Sequence, residues 1–315
     1  MNRIRHIRQY CGVIWILVVP FAAWAALRVT GLEPAWPWVP LVAFTPYVAL
    51  ASIVPAVLGA VRRQWPAAAV AALSCAALAA GVLPRHLPDA NPAAAGPPLH
   101  VLAANLQVGQ GDPEAFLALV RSLRPDVLAL QELTPAAATR IEALGLRDLL
   151  PHAVVRPAPG AAGSAVYARH PVRELPLPGH FYQARVVMTM AGREVDVVSV
   201  HPCAPHYRQP TPCWREGLTA LPRAEGRLRV LAGDFNATLD HPPLRDLLAS
   251  GYRDAADVAG QGLTNTWPMR GWGLLPGVAI DHVLAGATIA VTAFSAHTLP
   301  GTDHRAVFAA LRLPR

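Results

Sequence analysis

The chain contains no lysine in its 315 residues, so any basic side chain that meets a phosphate must be arginine or histidine. Charge of either sign is sparse: Asp, Glu, Lys and Arg make up 15% of the chain, against 53% hydrophobic residues. That balance is unusual for a wholly water-exposed protein. What charge there is lies unevenly. Residues 1–98 carry seven arginines against two acids, a surplus of five, and residues 99–315 carry twenty against eighteen, a surplus of two. The C-terminal part therefore lacks the basic footprint of a general nucleic-acid binder. It shows no internal repeat and no long arginine-rich insertion.

The hydrophobic excess sits at the N-terminal end. Cys11 to Leu27 is apolar apart from Pro20, and two further runs span Pro40 to Val61 and Trp65 to Leu83. Each is close to the length that crosses a hydrocarbon layer of about 30 Å. Trp15, Trp24, Trp36, Trp38 and Trp65 lie in or near these runs, where interfacial indoles are common. Pro46 and Pro55 are tolerable in a membrane helix because neighbouring groups re-satisfy the backbone. A cleaved signal peptide would supply one such run rather than three. Buried core helices would carry a polar face, yet Val70 to Ala80 has only Ser74. The expectation is an N-terminal membrane domain, residues 1–83, with three helices near 11–30, 40–61 and 65–83.

Arginine sets the orientation. Arg3, Arg5 and Arg8 precede the first run and Arg62-Arg63 separates the second from the third. Gly31 to Trp38 carries Glu33 and no basic residue, and Arg28 alone runs against the pattern. The positive-inside rule then places the N-terminus and the Arg62-Arg63 turn in the cytoplasm. Everything after Leu83 lies outside the membrane on that reading. Cys11 and Cys75 fall within apolar runs, whereas Cys203 and Cys213 share one outer loop. A disulfide between the last two suits an oxidising compartment, and two free thiols are the alternative.

Residues 84–98 are rich in Pro and Ala and read as an extended linker to a third part, residues 99–315. His100 to Ala104 predicts a strand ending at Asn105. Asp112-Pro113-Glu114 predicts a helix start: a capping acid, proline at the first position and a further acid in the first turn. Phe116, Leu119, Val120 and Leu123 supply its buried face. Further strands are expected over Asp126 to Leu130, Ser164 to Ala168, Arg185 to Met190, Glu194 to Val200, Arg229 to Ala232, Ala279 to Leu284, Thr288 to Phe294 and Ala306 to Leu311. Thr134 caps a helix running towards Leu144, and Leu244 to Ala249 is helical. Ala191-Gly192 turns a hairpin. Strands dominate with helices between some of them, the pattern of an α/β domain of two packed sheets with helices outside.

The strand ends hold the polar residues. Val230 to Ala232 runs into Gly233-Asp234-Phe235-Asn236. Strand alternation sends Asp234 and Asn236 one way and Phe235 into the core. Asn105, Glu132, His201, Asp281 and Asp303-His304 stand at other strand ends. Buried acids cost free energy unless paired or metal-bound, so their recurrence at strand ends points to one shared cleft.

The order Ala-Ala-Asn105, Leu-Gln131-Glu132, Val-His201-Pro, Gly-Asp234-Phe-Asn236, Ile-Asp281-His282-Val and Thr-Asp303-His304 resembles the endonuclease/exonuclease/phosphatase superfamily, the deoxyribonuclease I-like group. The resemblance covers His100 to about Leu313. It implies a four-layer α/β sandwich, two packed mixed β-sheets flanked by helices, and divalent-metal phosphoester hydrolysis. Glu132 would be the principal ligand of Mg²⁺ (or Mn²⁺), completed or supported by Asn105 and Asp303. Oxygen donors suit such a hard cation. Asp234 and Asn236 would orient the attacking water and the phosphoryl oxygens. His304 would be the catalytic histidine with Asp281 as its carboxylate partner, and His201 a proton donor or transition-state clamp. Arg185 stands where family members place a substrate-side arginine, with a surface ion pair as the alternative. His282 points to the opposite strand face and reads as structural. His206 has no motif behind it. The members that cut DNA use basic, extended loops, and this chain's loops are short.

The resulting expectation is a membrane-anchored, extracytoplasmic, metal-dependent phosphodiesterase or phosphatase. Its substrate is a lipid head group, a nucleotide or a nucleic acid, and nothing points to an obligate protein partner. An extracellular nuclease is the alternative within enzymes, and a catalytically silent membrane sensor the alternative outside them.

Overall fold

A computed structural model describes residues 2–34, 36–93, 95–179, 181–205, 211–270 and 276–315. His206 lies outside the described residues. The N-terminal region forms α1 (Asn2–Thr30), α2 (Trp38–Val42), α3 (Thr45–Ala51), α4 (Ile53–Val61) and α5 (Trp65–Val82), closed by a 3-10 turn, Leu83–His86. Among the described residues, two helical stretches are long and apolar enough to cross a bilayer, Val13–Thr30 and Trp65–His86. This corrects the expected three continuous helices. The middle run is broken where proline removes a donor. Pro46 cannot serve the Val42 carbonyl, and the Thr45 hydroxyl donates to it instead at 2.6 Å. The Ser52 hydroxyl donates to the Ala49 carbonyl at 2.6 Å, at the break before Pro55.

The broken run still retraces the length of its neighbours. Ile14 and Val18 of α1 meet Ala67 and Ala71 of α5, with Ala56 of α4 against them. Ala25 of α1 meets Leu78 and Val82 of α5 together with Ala49 of α3. Helices α1 and α5 are therefore parallel, and α3–α4 runs back between their ends. Val13, Ile16, Val19, Val54, Val57, Val61 and Leu73 remain exposed on these helices.

The remainder folds around two six-stranded sheets. Its strands are β1 (Pro98–Asn105), β2 (Val127–Gln131), β3 (His152–Arg156), β4 (Ser164–Ala168), β5 (Val172–Glu174), β6 (Arg185–Met190), β7 (Arg193–Val200), β8 (Arg229–Asp234), β9 (Tyr252–Asp254), β10 (Asp281–Gly286), β11 (Ala290–Thr298) and β12 (Arg305–Arg312). The helices are α6 (Pro113–Leu123), α7 (Pro135–Ala143), α8 (Leu146–Leu149), α9 (Thr211–Thr219), α10 (Pro242–Ala249) and α11 (Ala255–Val258). One sheet has the order β11-β12-β1-β2-β4-β3 and the other β5-β6-β7-β8-β10-β9, each mixing parallel and antiparallel pairs.

Period-two burial builds the layers. Val101, Val127 and Val307 of the first sheet face Val197, Val230 and Val283 of the second. Leu102, Leu128 and Tyr167 turn outward onto Phe116, Val120 and Ile141 of α6 and α7. Val198, Leu231 and Leu284 turn outward on the other side onto Trp214 and Leu218 of α9 and Leu244 of α10. This is the α/β sandwich expected from the sequence. The helix caps form as predicted: Asp112 accepts from the Ala115 amide at 2.7 Å and Thr134 from the Ala137 amide at 3.2 Å.

The N-terminal helices and the sandwich are joined by charge. Asp240 is fully buried, and Arg85 spans both its carboxylate oxygens at 2.8 and 2.6 Å while Arg28 donates to one of them at 3.0 Å. His241 Nε2 bonds the Val39 carbonyl at 2.9 Å, so the middle run is tied to the same segment. After the 3-10 turn, residues 87–93 do not hang free. The Asp89 amide donates to the Val258 carbonyl at 3.0 Å and Asn91 Nδ2 to the Val291 carbonyl at 2.7 Å.

Burial works to raise the Asp240 pKa, but Arg85 and Arg28 outweigh it and hold the carboxyl below its ordinary value. Its contribution is therefore present above the unfolded-state value of about 3.9 and is lost only as pH falls through the lower folded value. Asp240→Asn leaves two arginines buried without their partner. It is expected to cost about 3–5 kcal/mol, measured as a lower melting temperature of the detergent-solubilised full chain at pH 7, and the wild-type contact is expected to persist at pH 5.

Candidate active site

Strand register brings the polar strand ends to one edge of the sandwich. β1 and β2 run parallel with Asn105 opposite Gln131, so Asn105 and Glu132 leave together. β7 and β8 run parallel with Val200 opposite Gly233, so His201 and Asp234 emerge side by side. β10 begins where β8 ends, with Asp281 opposite Asp234. β12 is antiparallel to β1, and Asp303-His304 lead into it at the Asn105 end. Gly233, at φ +144°, lets the sheets close here: a Cβ would collide with the Val200 carbonyl and the Gln131 amide.

Contacts confirm the convergence. Asn105 Nδ2 donates to Glu132 Oε1 at 3.1 Å and to Asp234 Oδ2 at 3.0 Å, bridging the two sheets. His304 Nδ1 bonds both Asp281 oxygens, at 3.2 and 3.0 Å, and its Nε2 lies 3.8 Å from Asp234 Oδ2 and 3.9 Å from Asp303 Oδ1. His201 Nε2 is 3.7 Å from both Glu132 Oε1 and Asp234 Oδ2. Glu132 sits at φ +54°, in the left-handed region, with Oε2 accepting from the Val108 amide at 2.7 Å. Such a backbone costs about 1–3 kcal/mol for a side-chain-bearing residue and is held by its surroundings.

Asn236 reaches the site by a different route from the one strand alternation predicts. β8 stops at Asp234, Phe235 is fully buried, and Asn236 turns back at φ +49°. Its amide donates to Asp234 Oδ1 at 2.7 Å. Arg185 does not join the cluster. Its guanidinium is held by Asp196 at 2.7 and 3.1 Å, and Asp196 also takes Arg229 at 2.6 Å, so the ion-pair alternative is the one formed. His282 is structural: Nδ1 bonds Asp254 at 2.8 Å and Nε2 the Ala237 carbonyl at 2.9 Å. Cys203 and Cys213 are joined as a disulfide, with Cα atoms 5.9 Å apart.

Several supporting residues carried no signal in a single sequence. Trp267 Nε1 donates to Asp303 Oδ2 at 3.0 Å, and the Thr266 hydroxyl accepts from the Asp281 amide at 3.1 Å. Thr302 Oγ1 donates to the Asn105 carbonyl at 2.9 Å and accepts from the His304 amide at 3.1 Å. Gln183 Oε1 accepts from the His201 amide at 2.9 Å.

Electrostatics separate the groups. Burial raises the Glu132 pKa, against hydrogen bonding from Asn105 and the positive field of His304. Burial also raises Asp234, opposed by His304. Burial works to lower His304, yet Asp281, Asp234 and Asp303 override it and push its pKa up to about 10. Burial lowers His201, which is therefore neutral at pH 7.

A sequence profile of the Endonuclease/Exonuclease/phosphatase family matches residues 102–304. No curated protein matches the chain in sequence. Among solved structures, the endonuclease/exonuclease/phosphatase from Beutenbergia cavernae is 20% identical, with a TM-score of 0.52 over 69% of this chain and 72% of that one. A humanized D. rerio TDP2 is 14% identical, with a TM-score of 0.54 over 68% of this chain and 99% of that one. An AP endonuclease from Archaeoglobus fulgidus is 15% identical, with a TM-score of 0.51 over 67% and 98%. These likenesses are likenesses of fold.

The donor set fits a divalent cation. Asp234, Asp281 and His304 offer ligand atoms within 4.8 Å of one another. Asp281 occupies His304 Nδ1, and Glu132 is hydrogen-bonded to Asn105 with Asp303 near enough to act on its charge. Among the described residues, the only basic side chains within 4.0 Å of these acids are His201 and His304. In the cation-free protein the raised acids stabilise the fold while protonated, and that stability is lost as pH rises through their folded values. A bound cation reverses this, and binding releases protons. Addition of Mg²⁺ is therefore expected to raise the melting temperature more at pH 7.5 than at pH 5. Differential scanning fluorimetry checks this, and Glu132→Gln is expected to remove the increment.

Proposed function

Because the chain belongs to the endonuclease/exonuclease/phosphatase family, we propose that it is a divalent-metal-dependent phosphoester hydrolase, membrane-anchored, with its site outside the cytoplasm. The observation that carries the catalytic reading is the meeting of Glu132, Asp234 and the Asp281–His304 pair in one recess, from segments far apart in the chain. The lead substrate class is a small or lipid-linked phosphoester. The near-balanced charge of residues 99–315 and the exposed apolar faces of α1, α4 and α5 support it.

A bound cation would supply Lewis-acid stabilisation of phosphoryl charge, and Glu132, with Asn105 and Asp303 beside it, is the set that would hold it. The chain's own groups divide the remaining work. Asp234, buried and with a raised pKa, is suited to accept a proton from the attacking water. Asn236, one side-chain amide hydrogen of which goes to the Pro202 carbonyl, would donate the other to a phosphoryl oxygen. His304 is held cationic by Asp281, which fixes its ring and leaves Nε2 facing the recess, where it stabilises negative charge or protonates the leaving oxygen. Neutral His201 presents Nε2 to Glu132 and Asp234 and can bond a second phosphoryl oxygen.

Action on DNA or RNA is the second reading. It rests on the neighbours whose names speak of DNA work, among them a D. rerio TDP2 complexed with single strand DNA product, 16% identical with a TM-score of 0.52. A catalytically silent sensor would be expected to have lost Glu132, Asp234 or His304, and all three are present.

The anchor reading rests on the two long apolar helices and on arginine placement. α1 and α5 both reach the sandwich at their C-terminal ends, where Arg28 and Arg85 meet Asp240, and Arg62-Arg63 follows α4 at the other end of the bundle. Proteinase treatment of intact cells is expected to remove the sandwich. Cleavage only after permeabilisation would reverse the orientation.

The full chain in detergent is expected to hydrolyse bis(4-nitrophenyl) phosphate with Mg²⁺ and to stop with EDTA. Glu132→Gln and His304→Ala are each expected to lower kcat by about 10²–10⁴ without unfolding the protein. Turnover that is indifferent to both substitutions would remove the assignment. Parallel assays with DNA, sphingomyelin and phosphoinositides separate the two readings.

A further inference from the structure

Asn236 lies beyond the last residue of β8, so no sheet ladder holds it. Among the described residues, its hydrogen bonds apart from the local turn to Asp234 come from the two ends of the segment between β7 and α9. Its Nδ2 donates to the Pro202 carbonyl at 3.1 Å, and its own carbonyl accepts from Trp214 Nε1 at 3.0 Å. Pro202 immediately precedes Cys203 and Trp214 immediately follows Cys213, and these two cysteines are the disulfide. Each half of the disulfide is thus the next residue to one of the two groups that grip Asn236.

The surroundings make this a fixed clamp. Trp214 is fully buried in the cluster outside the second sheet, and Cys203 is buried as well. Helix α9 presses on the same point: a Cβ at Gly217 would lie 2.8 Å from the Pro202 ring. The covalent link adds to that packing a direct tie between the exit of β7 and the start of α9, and its loss would leave the two grips coupled by packing alone.

We infer that the Cys203–Cys213 disulfide and Trp214 are positioning elements for Asn236, so that turnover at this site depends on the oxidised state of that pair. The turnover half of this inference rests on the phosphoester-hydrolase reading; the positional half does not. It adds a reason for the sandwich to work in an oxidising compartment, because a reduced chain would keep Glu132, Asp234 and His304 in place and lose only the setting of Asn236.

The test uses the full chain in detergent with Mg²⁺ and bis(4-nitrophenyl) phosphate, before and after treatment with dithiothreitol. The dithiol reduces the disulfide to two thiols and itself becomes a cyclic disulfide. Two quantities are read: kcat with KM, and amide hydrogen exchange in peptides covering residues 233–238. Reduction is expected to speed exchange there, leave peptides of β1 and β12 unchanged, and lower kcat about three- to tenfold at similar KM, the scale of one neutral hydrogen bond lost. Trp214→Phe, which keeps the disulfide and removes the indole donor together with part of its buried ring, is expected to reproduce part of both effects. Unchanged exchange at residues 233–238 in both the reduced protein and Trp214→Phe overturns the inference, whatever the turnover does. Faster exchange with no turnover in either redox state keeps the positional assignment and removes the hydrolase reading instead.

Discussion

The structure depends on keeping four carboxylates within reach of each other at a largely buried edge. Glu132, Asp234, Asp281 and Asp303 come from both sheets, and burial favours the protonated form of Glu132 and Asp234. Two things hold them. The apolar layer between the sheets fixes where the strands end, and Asn105 and His304 tie the ends together across the gap. On the reading proposed here, the crowding that makes the site costly to fold is also what would let it bind a cation. It holds His304 charged against its own burial, while His201, lacking a bonded carboxylate, stays neutral. The two imidazoles therefore differ because the bonded Asp281 outweighs burial at His304, whereas at His201 burial outweighs acids 3.7 Å away.

Much of this was legible in the sequence because it rests on local rules. Asp112 and Thr134 cap their helices, and Arg185 to Met190 pairs with Arg193 to Val200 across Ala191-Gly192. The polar residues at strand ends meet because parallel register carries neighbouring strand ends to the same edge. Less legible were features set by tertiary contact. β5 and β9 are three residues long, too short for a period to show. Helix α9 starts inside what reads as a loop. Arg185 stands at a plausible substrate-side position, yet the nearest acid, Asp196, decides its partner. Asn236 meets Asp234 through its backbone amide, and a left-handed turn rather than strand alternation brings it there because the strand has already ended.

The N-terminal helices show a similar division. Their apolar character follows from composition, and their breaks follow from proline placement. What composition did not reveal is that the helices and the sandwich form one packed unit. Asp240 takes arginines from the end of α1 and from the turn after α5, and it lies four residues beyond Asn236. The rim of the recess is thus held from two sides, by the buried ion pair towards the helices and by the disulfide loop towards α9. On the reading proposed here, an anchor of this kind would fix the orientation of the recess relative to the bilayer instead of leaving the sandwich on a free tether.

The central claim is that these converging acids form one cation-dependent phosphoryl site. Calorimetric titration of the full chain with Mn²⁺, with and without inorganic phosphate, tests it most directly. The account predicts saturable binding that releases protons, tightens when phosphate is present, and is lost in Glu132→Gln. Absence of saturable binding, or binding that Glu132→Gln leaves unchanged, would contradict it.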